Sequence, residues 1–108
     1  MTLKFVELPV FQRAWKEAGL TDDHLLELEI KLLINPKLGR VIKGSDGARK
    51  LRFKAQGKGK SGGVRVIYIY VVVRDTIYFI YAYPKSVKDD LSDQEVENIR
   101  KAVVLLKS

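Results

Sequence analysis

Arg65 and the lysines that precede it are the residues of this chain best suited to chemistry. They lie in Lys54-Ala-Gln-Gly-Lys58-Gly-Lys60-Ser-Gly-Gly-Val-Arg65-Val-Ile-Tyr68. From Lys37 to Arg65 there are ten Lys or Arg and one acid, Asp46, so that segment carries +9 and the remaining residues sum to −2 within a total of +7. Charge gathered this way attracts a polyanion, RNA above all. The glycines leave backbone N–H groups open to phosphate oxygens, and the ammonium groups of Lys58 and Lys60 supply charge beside them. Arg65 sits in the most hydrophobic stretch, with the parity of Ile67, Ile69 and Val71. A buried arginine is costly unless it pairs with an acid or lines a cleft, and both readings stand.

Two nucleotide-binding patterns in the hairpin fail on context. Gly57-Lys-Gly59-Lys-Ser-Gly62 matches a dinucleotide fingerprint and Gly59-Lys60-Ser61 ends like a P-loop. Both need a strand before the glycines and a helix after them. Here a strand follows. His24, the single histidine, falls in the first turn of a helix and reads as a surface residue. Asp22/Asp23 and Asp89/Asp90 flank helices, where dipole and capping effects explain them. Glu27 and Glu29 are two apart on a helix and do not face each other. No His, Asp or Glu cluster has metal-ligand spacing, so the expectation is no metal and no cofactor. Most of the tyrosines read as strand residues. Tyr81 and Tyr83 share the parity of Lys85 and are the candidates to stack an unpaired base.

The elements that must position these residues are legible in the periodicity. Residues 2–7 read as a short strand. Pro9 opens a helix with Phe11, Ala14, Trp15 and Ala18 on one stripe, and Gly19 closes it. Thr21 caps a second helix through Ile34, whose Leu25/Leu28/Leu32 and Leu26/Ile30/Leu33 rows predict a wide buried face. In 49–55, Leu51, Phe53 and Ala55 alternate with Lys50, Arg52 and Lys54, so one face enters the core and the other is a row of cations. Val64 to Val73 is apolar on both faces except at Arg65, which predicts a central strand. Arg74-Asp75 turns the chain and Thr76 to Tyr83 returns antiparallel. Ser92-Asp-Gln-Glu95 is a capping box opening a last helix with Val96, Ile99, Val103 and Leu106 inward. The order β-α-α-β-β-β-α predicts an α+β fold, an antiparallel sheet of about four strands with helices packed on one face.

The totals agree. At 108 residues and 46% hydrophobic, residues 1–108 are expected to form one domain with one core. The absence of cysteine excludes disulfides and thiolate chemistry. No apolar run is long enough for a membrane span, and Glu7 and Pro9 break any leader early. A soluble cytoplasmic protein with no membrane partner is expected.

With these residues in hand, the chain resembles the RelE/ParE toxin superfamily, and within it the HigB-like branch of ribosome-dependent mRNA endonucleases from bacterial type II toxin–antitoxin modules. The resemblance spans most of the chain: Asn35-Pro36-Lys37-Leu38-Gly39, Val41-Ile42-Lys43-Gly44, Gly47-Ala-Arg-Lys-Leu-Arg52, the 57–63 hairpin, Arg65-Val-Ile-Tyr68 and Tyr83-Pro-Lys85. It implies a RelE-like fold, an antitoxin partner, and ribosome-bound mRNA as substrate. It also implies a metal-independent cleavage in which the RNA 2′-hydroxyl attacks the adjacent phosphate and the 5′-oxygen leaves. Such a site aligns atoms and stabilises added negative charge. By this resemblance Arg65 holds the scissile phosphate, Lys54, Lys58 and Lys60 share base and electrostatic roles, Lys85 steadies the leaving group, and Tyr83 is a proton-transfer candidate. Lys37, Lys50, Arg52, Lys88 and Tyr81 are the expected RNA contacts. The chain departs from RelE-like relatives in carrying Leu91-Ser92 where they place a tyrosine near the entry to the last helix. The competing readings are a non-catalytic RNA- or partner-binding member and a ParE-like gyrase poison, since one fold serves several functions.

Overall fold

The computed structural model describes residues 2–57, 63–88 and 90–108; Lys58, Lys60 and the rest of the predicted hairpin tip lie outside the described residues. The elements are β1 (Lys4–Glu7), α1 (Pro9–Glu17), α2 (Asp22–Ile34), β2 (Arg40–Val41), β3 (Arg49–Phe53), β4 (Val64–Val71), a 3₁₀ turn (Val72–Arg74), β5 (Thr76–Pro84) and α3 (Asp93–Lys107). Their sheet runs β1-β5-β4-β3-β2, with β1 parallel to β5 and every other pair antiparallel. The α+β class, the central β4 and the three helices match the sequence reading. The sheet has five strands rather than about four, because two-residue β2 is too short to show a periodicity.

The helix boundaries follow from local chemistry. Pro9 occupies the first turn of α1, where its missing N–H costs nothing. Thr21 caps α2 by accepting from the His24 N–H, and His24 Nδ1 accepts from the Thr21 N–H at 3.0 Å. His24 therefore plays the part usually taken by Glu or Gln in a capping box. Ser92 and Glu95 form the predicted box on α3.

The two faces of β4 decide the layering. Val64, Val66 and Tyr68 pack with Phe11 and Trp15 of α1 and with Leu25, Leu28 and Leu32 of α2. Ile67, Ile69 and Val71 pack instead with Ile99 and Val103 of α3. The expectation of helices on a single face is thus corrected. A strand apolar on both sides needs cover on both, and α3 supplies the second cover. The second row of α2 is corrected as well. Leu26, Ile30 and Leu33 are 54%, 49% and 46% exposed, because a helix lying on a sheet buries one stripe only.

One irregularity in β5 matters for the site. Along β4 the partners step from Tyr68↔Phe79 to Ile67↔Tyr81, so Ile80 is an extra residue in β5. Ile77 and Phe79 face the α1/α2 core, but beyond the bulge Tyr81 and Tyr83 face the α3 side. A β-bulge re-aims side chains in this way.

Candidate nucleic-acid interface

Register alone brings several cations together. Arg52 pairs with Arg65, which pairs with Tyr83; one step along, Arg40 pairs with Lys50, Lys50 with Ile67 and Ile67 with Tyr81. Directly paired residues share a face. These rows open into a cavity of about 630 Å³ lined by Leu38, Arg40, Lys50, Leu51, Arg52, Arg65, Lys85 and Asp90. Five of those eight side chains are cationic and one is acidic. Arg65 is 6% exposed and forms the floor of this cavity.

The walls are pinned by specific contacts. On one side, the Tyr68 hydroxyl donates to the Pro36 carbonyl and accepts from the Gly39 N–H, each at 2.9 Å. Arg49 Nη1 donates to the Gly39 carbonyl at 2.7 Å and to the Lys37 carbonyl at 3.2 Å. These bonds fix the 35–39 loop that presents Leu38 and Arg40. A side chain at Gly39 would be crowded, since a Cβ would lie 3.0 Å from both the Lys50 carbonyl oxygen and the Tyr68 ring and one of them would have to give by a few tenths of an ångström. On the other side, the Lys85 N–H donates to the Gly63 carbonyl at 3.1 Å, tying the segment after β5 to the start of β4.

Asp90 was missed as a site residue. It takes no part in the α3 cap, which Ser92, Asp93 and Glu95 furnish. Its carboxylate accepts from Lys50 Nζ at 3.0 Å across the cavity mouth. Arg40 was missed too. Its position opposite Lys50 in a two-residue strand has no signature in a sequence.

The predicted site residues divide accordingly. Arg65, Lys50, Arg52 and Lys85 line the cavity. Lys54 is exposed and lines a separate shallow depression with Phe53, Val64 and Ser86. Lys37 is exposed and contributes its backbone to the loop rather than its side chain to the cavity. Tyr83 is 1% exposed beneath the strand surface, and its hydroxyl has no hydrogen-bond partner among the described residues. Burial raises the Tyr83 phenol above its usual range, Asp90 adds to this, and Arg65 opposes it. The group is a neutral phenol, a poor base. Lys88 does not face the cavity. Its ammonium donates to the Glu95 carboxylate and stands 5.0 Å and 5.5 Å from the Tyr83 and Tyr81 ring centres. Both rings are thereby capped by a cation, a contact that competes with base stacking. Lys88 and the Ser92 backbone hold the Glu95 carboxyl below its ordinary range.

Such a cavity suits anionic oxygens. Arg65 and Arg52 each offer a planar fork of donors that matches phosphate, while Lys50 and Lys85 act as point charges. Among the described residues no three His, Asp or Glu side chains gather as metal ligands, and no helix is long and apolar enough to cross a membrane.

Known proteins share both the sequence pattern and the fold. A chain of the intact E. coli RelBE toxin–antitoxin complex superposes with a TM-score of 0.55 at 12% identity, over 77% of this chain and 96% of that one. A free-state mutant of E. coli toxin RelE, with two arginines changed to alanine, gives 0.57 at 16% identity, over 96% and 99%. At these identities the likeness is one of fold. A family model described as the RelE toxin of the RelE/RelB toxin–antitoxin system matches residues 5–107, nearly the whole length. The chain belongs to the RelE toxin family.

Proposed function

We propose that this protein is the toxin of a type II toxin–antitoxin module and a ribosome-dependent mRNA endonuclease of the HigB-like kind, acting in the cytoplasm. The observation that carries this reading is the cavity in which Arg40, Lys50, Arg52, Arg65 and Lys85 converge, with Arg65 buried at its floor. Phosphodiester cleavage without a protein nucleophile needs alignment and charge stabilisation above all, and these side chains provide both. In the proposed step the 2′-hydroxyl oxygen bonds to the adjacent phosphorus, its proton passes to a base, and the 5′-oxygen departs with a proton from an acid. Arg65 holds the non-bridging oxygens as charge develops. Lys85, at the rim, stands where a leaving oxygen would be steadied. Lys54, Lys58 and Lys60 remain candidates for the proton transfers. The antitoxin partner is inferred from family membership and from the RelBE complex among the similar structures. Primer extension on ribosome-bound message after induced expression tests the reading. Cuts within the reading frame are expected; intact messages during growth arrest would refute it.

A further inference from the structure

The cavity already holds an anion of its own. Asp90 is the single acid among its described lining residues, and its carboxylate sits 3.0 Å from the Lys50 ammonium. The Asp90 side chain is 83% exposed, so packing does not force it there. Two residues that precede it in the connection from β5 to α3 are themselves held. Lys85 N–H is bonded to Gly63, and Lys88 is bonded to Glu95 of the α3 cap. Among the described residues, the Asp90 carboxylate at the cavity mouth is held by the half-buried Lys50 alone.

We propose that Asp90 is a specificity-determining residue: its carboxylate fills the anion position on Lys50 in the free protein, and a ligand must displace it. A lone anion such as inorganic phosphate gains little by exchanging with a tethered carboxylate. A chain of phosphodiesters engages Arg40, Arg52 and Lys85 at once and wins the exchange. The favoured ligand is thus extended single-stranded RNA rather than small phosphates. This inference rests on the cavity being the RNA site.

The test measures binding, not cleavage. Fluorescence anisotropy with a short single-stranded RNA of 2′-O-methyl nucleotides, which cannot be cut, compares wild type with Asp90→Asn across a salt series. An exposed ion pair is weak, so Asp90→Asn is expected to bind about two- to five-fold tighter. Freeing Lys50 for a phosphate adds about one released counterion, steepening the slope of log K against log salt by about 0.7. Inorganic phosphate should compete more effectively against RNA on the variant than on wild type. Glu17→Gln on α1 makes the same change of net charge but lines no part of the cavity, and it should leave affinity and slope unchanged. If Asp90→Asn and Glu17→Gln behave alike, the proposal is overturned. Lys50→Ala and Arg52→Ala separate the two readings. If neither weakens RNA binding, the cavity is not the RNA site. If both weaken it while Asp90→Asn changes nothing, only the role of Asp90 falls.

Discussion

Gly63→Ala should be far more damaging than its place at the base of a hairpin suggests. Gly63 has φ +74°, where an L side chain costs about 1–2 kcal/mol. A Cβ there would also lie 2.4 Å from the Phe53 carbonyl oxygen, 3.1 Å from its carbon and 3.2 Å from Lys54 Cα. All three atoms are main chain, so no side chain can rotate aside and β3 must part from β4 at the Phe53↔Val64 pair. The bond from Lys85 N–H to Gly63 is strained with it, a further loss of about 0.5–1.5 kcal/mol. The sum is about 1.5–3.5 kcal/mol. Gly57→Ala is the internal control, since Gly57 has φ +81° but nothing within 4 Å of its Cβ position; it should lose only the conformational part, about 1–2 kcal/mol. Urea unfolding followed by Trp15 fluorescence reads the difference directly. This sole tryptophan is buried and stacks 5.7 Å from the Phe53 ring. The variants thus differ by about 0.5–1.5 kcal/mol, and with an m-value of about 1–3 kcal/mol/M their midpoints should differ by about 0.2–1.5 M. Coincident midpoints would mean that the close approach to Phe53 carries no energy, and the argument for the fixed hairpin base would fail.

Arg65→Ala should lower cleavage by about 10²–10³-fold, the usual cost of removing a donor from a developing charge, with circular dichroism checking the fold; a well-folded variant that still cleaves at the wild-type rate would remove Arg65 from the site. Glu95 is held below its ordinary pKa, so its contribution to stability is complete above about pH 4.5 and is lost as the pH falls through the lower folded value. Glu95→Gln, which can keep the bond to Ser92, should cost about 0.5–2 kcal/mol at pH 7, and its stability curve should merge with wild type in acid; a constant gap at every pH would contradict this. His24→Ala removes half of a capping box and should cost about 0.5–1 kcal/mol without touching cleavage; full loss of cleavage in a folded variant would overturn its assignment as a cap.

Much of this architecture could be read from residues alone because its signals are local. Thr21 and Ser92 announce their helices through side chains that reach only three residues onward. The alternation of Leu51 and Phe53 with Lys50 and Arg52 fixes which side of β3 is charged, whatever it later pairs with. The features that escaped depend on distant partners. Nothing in the order of elements says on which face α3 will lie, since a helix after the last strand can cross either way. The extra residue at Ile80 is visible only once β4 lies beside it. Asp90 sits close enough to a helix start to pass for a cap residue, and its partner Lys50 is forty positions earlier. Lys88 looked like a free cation until Glu95 and two tyrosine rings came into view.

The surplus residue in β5 has a consequence for how this strand tolerates change. Before Ile80, odd-numbered side chains feed the compartment beneath α1 and α2; after it, odd-numbered side chains look toward α3 and the basic hollow. Losing that residue would leave Phe79↔Tyr68 and Tyr81↔Ile67 as neighbouring pairs of a regular ladder, so each half would keep its face and only the bulge and the buried Ile80 side chain would go. An insertion or deletion elsewhere in the strand has no such spare residue to absorb it and would exchange inside for outside.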